Sequence, residues 1–283
     1  MADFNIFHHM PWEPTYAIYF FVIGISAALF FFSALSWFND AFLSLRHRAF
    51  YASFVLLVIG GLLLIGDLSQ PMRFINILNP FYLNFASPLA WGGLNLVSFG
   101  LVSVLYYLAM STQSPHAKVL GIIGSLLALG LPVYTGFDLT VHQNRPVWNT
   151  PLMPVLFVAM SIVSGAAVAT FLALGEERLQ GVLRAIILWS AGAVAVMLVS
   201  LLGTTAYGGV GQELTFMLMT SGMLGLIFLG LGIAVGLAAP IALLLVLGRN
   251  ATGTMAASVL LLIGGMALRY SILIGGQLVQ TYF

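Results

Sequence analysis

The chain has no cysteine, and only nine Lys or Arg and eight Asp or Glu among its 283 residues. Without cysteine there is no disulfide, no thiolate metal site and no iron–sulfur cluster held by this chain alone. A formal net charge of +1 offers no basic surface for nucleic acid. No P-loop is present, so nothing supports ATP-driven transport by this chain. The histidines, His8, His9, His47, His116 and His142, fall in loops or at the ends of apolar runs. None lies well inside such a run, which argues against bis-histidine haem ligation between helices. Met1 to Pro14 contains no Lys or Arg. A signal peptide needs a positive n-region, so the first apolar run is expected to stay as a membrane span.

What fills the chain instead is hydrocarbon. Hydrophobic residues make up 61% and charged residues 6%, and mean hydropathy is +1.07. A soluble domain carries about 25% charged residues. A water-soluble fold of this composition would expose apolar surface on every side and aggregate, so a polytopic membrane protein is expected. A spanning helix needs roughly 20 apolar residues. Such runs are Thr15–Trp37, Phe50–Leu68, Pro88–Met110, Ala117–Phe137, Leu152–Leu174, Val182–Ala206, Leu214–Leu247 and Met255–Tyr282. They are continuous rather than alternating, which selects helices over a closed barrel. The expected fold is therefore all-α, with eight transmembrane helices in one domain over residues 1–283. The seventh run is long enough to tilt, to kink near Pro240 or to project from the membrane. Gly232 and Gly236 form a GxxxG step, and Gly264–Gly265 and Gly275–Gly276 add small surfaces. These read mainly as helix-packing faces. Pro132 is expected to bend the fourth span just before Tyr134.

The scarce charges give an orientation. Odd-numbered loops hold Arg46, Arg48, Lys118, Arg178, Arg184 and Arg249; the opposite side has Arg73 and Arg145. The positive-inside rule then makes the odd loops cytoplasmic and turns both termini outward, to the periplasm in a bacterial inner membrane. The richest connections, roughly Asp67–Ser87 and Asp138–Pro151, both face outward. Long connections are more often functional than short ones, so the outward face is the candidate site and partner surface.

Few residues there carry chemistry. Asp67 ends the second run, where a carboxylate is costly unless paired or wetted. It reads equally as a proton acceptor or ligand partner and as a helix-end carboxylate in the interface. Asp138 and His142 follow the fourth run, one turn apart if the helix continues. A His relays protons near neutral pH, and an Asp can orient it or raise its pKa. The plainer alternative is an interfacial Asp and a surface His. Tyr134 lies one turn before Asp138 on the same face, and its phenol can donate to a carbonyl oxygen without bringing charge into lipid. An interfacial aromatic belt accounts equally for Tyr134 and for Trp12, Tyr16, Tyr19, Trp91, Trp148 and Tyr282. Arg269, halfway along the last run, costs about 2.5–3.5 kcal/mol on insertion scales. It is expected to face the bundle and pair with a carboxylate or carbonyls, as a structural pair or on a proton or substrate path.

Short segments are more specific. Ser87-Pro88-Leu89-Ala90-Trp91-Gly92 looks like a helix start, with Ser as N-cap and Pro in the first turn. Asn144-Arg145-Pro146-Val147-Trp148-Asn149 puts a cation, amides and an aromatic in one loop. Such a loop braces helices or docks a partner, and physics favours bracing.

With Ala86 before the first segment, and with Asp67–Phe74 ending Pro71-Met72-Arg73-Phe74, these motifs resemble the membrane subunit of polysulfide reductase and its relatives, the NrfD/PsrC family. The resemblance covers most of the sequence. It implies eight helices in two four-helix bundles and a haem-free, metal-free quinone site (menaquinone or ubiquinone) near the outer face. It also implies an iron–sulfur partner subunit and, behind that, a molybdopterin catalytic subunit. The quinone neighbours would come from the start of span one, the end of span two and the end of span four. Tyr134 matches the family's quinone-site tyrosine. In span one the family's polar positions fall near Tyr16 and Tyr19, where Asn and His equivalents are missing. Asp67, Asp138 or His142 would handle protons, and Arg269 could carry a coupled proton path. A secondary transporter or proton channel, or a purely structural anchor, fits the same composition.

Overall fold

The computed structural model describes residues 12–67, 71–247 and 250–279. His8, His9, Arg249 and Tyr282 lie outside them, as does the side chain of Arg73. Among the described residues there is no strand, and eight helices are long and apolar enough to cross a membrane. The spans are α1 (Pro14–Leu35), α2 (Arg46–Gly66), α3 (Pro88–Ser111), α4 (His116–Thr140), α5 (Leu152–Leu172), α6 (Glu177–Ala206), α8 (Gly222–Val246) and α9 (Ala251–Gly275). A shorter helix, α7 (Val210–Thr220), precedes α8. The protein is thus an all-α multi-pass membrane protein, as the apolar runs require.

The helices begin where the sequence lets them. Extended Glu13 and Ser87 each precede a proline in the first turn, Pro14 and Pro88. There the missing N–H is one the helix would leave unbonded in any case. Ser87 makes no side-chain cap bond, whereas Asn250 accepts from Thr252 N at 3.0 Å to open α9. Within the spans, hydroxyls are satisfied locally. Ser125, Thr170 and Ser258 each donate to the carbonyl four residues back, so these hydroxyls are not carried bare into lipid.

The seventh apolar run, for which a tilt, a kink near Pro240 or a projection from the membrane was open, is divided elsewhere. It breaks at Ser221, which is extended, and Gly222, which has φ +59°. Glycine takes the left-handed region without a Cβ penalty. Pro240 causes no break: it follows a stretch, Leu226–Ala238, wound with i→i+5 bonds, and begins a new α-helical turn. Pro132 sits inside α4 as expected.

The packing has a centre and a periphery. α1 packs on α2, α4, α5 and α9; α3 packs on α4, α6 on α5, and α8 on α9. α1, α5 and α9 are the most enclosed spans. Gly236 of α8 meets Gly264 of α9 backbone to backbone, with no room for a Cβ on either. That contact bears out the packing role of the GxxxG step. At the ends holding the odd loops, Arg46 lies over the Trp37 ring at 3.7 Å. Arg48 and Arg184 donate to the terminal carbonyls Leu172 O at 2.9 Å and Leu244 O at 2.6 Å. These cations also close helix C-termini, where the dipole favours them.

Candidate functional site

At the opposite end α1 begins, α2 ends, α3 begins and α4 ends. Here the separate candidates meet. Asp67 caps α2 and accepts a hydrogen bond from Thr15 Oγ1 of α1 at 3.1 Å. The Tyr16 hydroxyl faces the same carboxylate. Tyr134 and Asp138, one turn apart on α4, are 8% and 9% exposed. The Asp138 carboxylate lies within electrostatic reach of the Tyr16, Tyr19 and Tyr134 phenols. Tyr16, Tyr19, Asp67, Tyr134 and Asp138, named separately from sequence, therefore form one cluster drawn from α1, α2 and α4.

Two details bear on what the cluster can bind. The Tyr19 hydroxyl is buried and has no hydrogen-bond partner among the described residues. A buried phenol oxygen normally finds one, in protein, water or ligand. Tyr134 also lines a cleft of about 440 Å³ between α3 and α4, with Phe85, Trp91, Asn95, Val133 and Phe137. The lining is apolar apart from Asn95 and the phenol, and Asn95 is already engaged with Leu127 O at 3.0 Å. Such a site suits a flat, largely apolar molecule with a few polar atoms.

His142 stands beside the cluster rather than in it. α4 ends at Thr140, and the chain turns through His142 N–H to Leu139 O at 3.3 Å. Helical spacing from Asp138 therefore does not carry on to His142. Its half-buried ring packs edge-on against Trp12 at 5.7 Å and against Trp148 at 5.5 Å. Burial, and then the neighbouring Arg145 charge, push its pKa down. The imidazole is neutral at neutral pH, the opposite direction from an Asp-assisted histidine. Trp12 links it to the cluster by packing on Tyr16 at 4.9 Å.

The loop after α4 is a brace. Trp148 is 1% exposed and donates from Nε1 to Ile272 O of α9 at 2.8 Å. Buried Arg145 donates to Gln277 O. Gln277 in turn binds the Trp12 backbone in both directions, at 2.8 and 3.1 Å. The start of α1, the loop after α4 and the end of α9 are thereby tied together.

Arg269 makes no hydrogen bond to a described residue of the cluster. It is 0% exposed and donates to Gly265 O at 3.0 Å, Ser161 Oγ at 3.2 Å and Ser164 Oγ at 3.5 Å. Its guanidinium also sits 5.3 Å from the Phe21 ring centroid. Both serines donate to their own helix, to Phe157 O and Met160 O, so they accept from the arginine. Among the described residues no carboxylate pairs with it. The expected carbonyl partner is present, and the group joins α1, α5 and α9.

Sequence reading missed Thr15, Gln277 and the role of Gly92. The α-carbon of Gly92 touches the Tyr134 ring, leaving no space for a Cβ. The only signal was a glycine directly after Trp91 at a helix start. No group of three or more His, Cys, Asp or Glu able to hold a metal occurs among the described residues.

Comparison with known proteins places the sequence in a family. Residues 4–280 match the family described as Polysulphide reductase, NrfD. The sequence is 29% identical to the C component of the polysulfide reductase of Wolinella succinogenes, over 96% of each protein. It is 29% identical to Protein NrfD of Escherichia coli, over 60% of its own length and 62% of that protein. It is 30% identical to the C component of the tetrathionate reductase of Salmonella typhimurium, over 52% of its own length and 44% of that protein.

Proposed function

The chain belongs to the NrfD polysulphide reductase family, and on that premise we propose that it is the quinone-handling membrane subunit of a respiratory oxidoreductase complex. The reading assigns it to a bacterial inner membrane with both termini and the site end toward the periplasm. A partner subunit holding iron–sulfur clusters would dock there and connect to a molybdopterin catalytic subunit. The spans α1–α4 would form one four-helix bundle, and the spans α5, α6, α8 and α9 the other.

The observation that carries the proposal is the convergence of Tyr16, Tyr19, Tyr134, Asp67 and Asp138 at one depth and one end. A bound quinone would supply two-electron, two-proton chemistry, which this protein's side chains do not. The residues present fit such a group. Tyr134 offers a buried O–H donor, and Tyr19 holds a second phenol with no hydrogen-bond partner among the described residues. A neutral donor is cheaper than a cation in this setting. Asp67 and Asp138 are placed to take or give protons, Asp67 being the less buried of the two. Neutral His142, at the edge of the cluster, can accept a proton from the Asp138 side and release it outward. Tyr134 and Tyr19 are themselves buried, and a low-dielectric setting strengthens the hydrogen bonds they could make.

The test is quinone-coupled turnover of the intact complex after Tyr134→Phe and Asp67→Asn. Loss of a positioned donor or proton group predicts a fall of about 10²-fold in each. Wild-type turnover in both variants would contradict the assignment. A transporter calls for paired broken helices, and the described residues break an apolar run only at Ser221–Gly222.

A further inference from the structure

Asp67 closes α2: its backbone N–H donates to Leu63 O at 3.2 Å, so its backbone belongs to the last helical turn. A carboxylate gains nothing from that position, because the dipole of its own helix favours cations at the C-terminal end. Its support comes from the first turn of α1 instead. Thr15, directly after Pro14, donates from Oγ1 to Asp67 Oδ1 at 3.1 Å, and the Tyr16 hydroxyl engages the same carboxylate. The N-terminal end of α1 is also where a helix dipole favours negative charge.

The Thr15 bond is not needed to hold the two helices together. Deeper in the membrane, Ser26 Oγ donates to Ser53 O at 2.8 Å, and Ser53 Oγ returns a bond to Ser26 O at 2.7 Å. At the far end Ser33 Oγ donates to Arg46 O at 2.8 Å. Between Asp67 and Ser53, α1 approaches so closely that a Cβ on Gly60 would lie 3.2 Å from Ile23 Cδ1. α1 and α2 are thus pinned at three levels without Thr15. What Thr15 adds is the direction of one carboxylate. Its β-branched side chain has few rotamers in a helix, so the hydroxyl is a fixed pivot.

We propose that Thr15 is a positioning residue of the candidate site: it holds the Asp67 carboxylate beside Tyr16 and so sets the proton step assigned to Asp67. The inference rests on the head-group reading above, in which Asp67 exchanges protons with the bound quinone. Thr15 acts through Asp67 and needs no contact with the quinone itself.

Two variants separate the donor from the shape. Thr15→Val keeps the branched side chain and removes the hydroxyl; Thr15→Ser keeps the hydroxyl. Turnover of the intact complex in proteoliposomes is measured per assembled complex while quinone concentration is varied. Thr15→Val is expected to lower kcat about tenfold, the order of a lost hydrogen bond to a charged group, with KM within about twofold of wild type. Thr15→Ser should keep kcat within about threefold of wild type. In an Asp67→Asn background Thr15→Val should lower kcat by less than about twofold, since both act through one carboxylate. Tm of Thr15→Val should stay within about 4 °C of wild type, because the other ties between α1 and α2 remain. Wild-type kcat in Thr15→Val, with or without a fall in Tm, would make the residue a brace only and overturn the proposal. So would losses that add in the double variant, an equal loss in Thr15→Ser, or a rise in KM larger than the fall in kcat. Failure of the head-group reading looks different: Asp67→Asn and Tyr134→Phe would then both turn over at the wild-type rate.

Discussion

The ring of Tyr134 rests against the α-carbon of Gly92, so closely that a methyl group at position 92 would overlap the phenol carbons. The contact comes from two helices, α3 and α4, and Tyr134 has little freedom to turn away because it is 8% exposed. Gly92 is thus a positioning residue for the candidate donor. Gly92→Ala is expected to leave the complex assembled and to lower quinone-coupled turnover by about tenfold to 100-fold, the scale set by misplacing a reacting group by about 1 Å. In a Tyr134→Phe background the same change should add little, because both act through one hydroxyl. Steady-state kinetics on the single and double variants checks this; additive losses would mean that Gly92 acts elsewhere.

The loop brace predicts a stability effect with little change in chemistry. Trp148→Ala removes a buried ring packed on Gly276 and the bond to Ile272 O, and should cost about 3–5 kcal/mol. Trp148→Phe keeps part of the packing but loses the hydrogen bond of about 1 kcal/mol and some ring volume, so its cost should be intermediate. Thermal unfolding of the detergent-solubilised protein should rank them wild type, Phe, Ala.

Much of this architecture was legible in the sequence, because hydrocarbon leaves a polypeptide few choices. Every apolar run contains a span, and Ser87-Pro88 started a helix where its chemistry said it would. The start of α2 was less legible. The apolar run begins at Phe50, but the helix starts at Arg46, since Arg46 and Arg48 reach polar groups from within a helix. The break at Gly222 was hidden for another reason. A glycine at φ +59° and a glycine packed on a neighbour are the same letter, and this chain has many of the second kind. The candidate cluster was half legible. Tyr134 and Asp138 share a helix face by spacing alone, but their meeting with Tyr16, Tyr19 and Asp67 is a tertiary fact.

His142 gives a pH signature. The folded protein disfavours its imidazolium, so its pKa lies below the ordinary value of 6.5. As pH falls, the unfolded chain takes up the proton first, and stability drops. The contribution of His142 is complete above about pH 6.5 and is lost as pH falls toward the lower folded value. His142→Gln should therefore flatten this part of the decline in Tm between about pH 7.5 and about pH 5. An unchanged slope would show that His142 is not the group responsible.

Arg269 is read as a seam between α1, α5 and α9 rather than as a proton carrier, since a guanidinium keeps its proton. Its partners are neutral hydroxyls and a carbonyl. Arg269→Met, of similar length, leaves no carboxylate stranded among the described residues. It should be close to neutral in Tm, because a buried charge is often replaced by hydrocarbon without loss. Arg269→Ala, which leaves a cavity, should cost more. Electron turnover and proton release per electron in proteoliposomes should both survive in the Met variant. Loss of proton release with turnover intact would put Arg269 on a proton path instead.

Photolabelling of the intact complex with an azido-substituted quinone tests the central claim most directly. The account predicts label on the peptides holding Tyr16 and Tyr19 of α1 and Tyr134 of α4, protected by excess unlabelled quinone and lost in Tyr134→Phe. Label confined to α6 or α8, or insensitive to competing quinone, would contradict it.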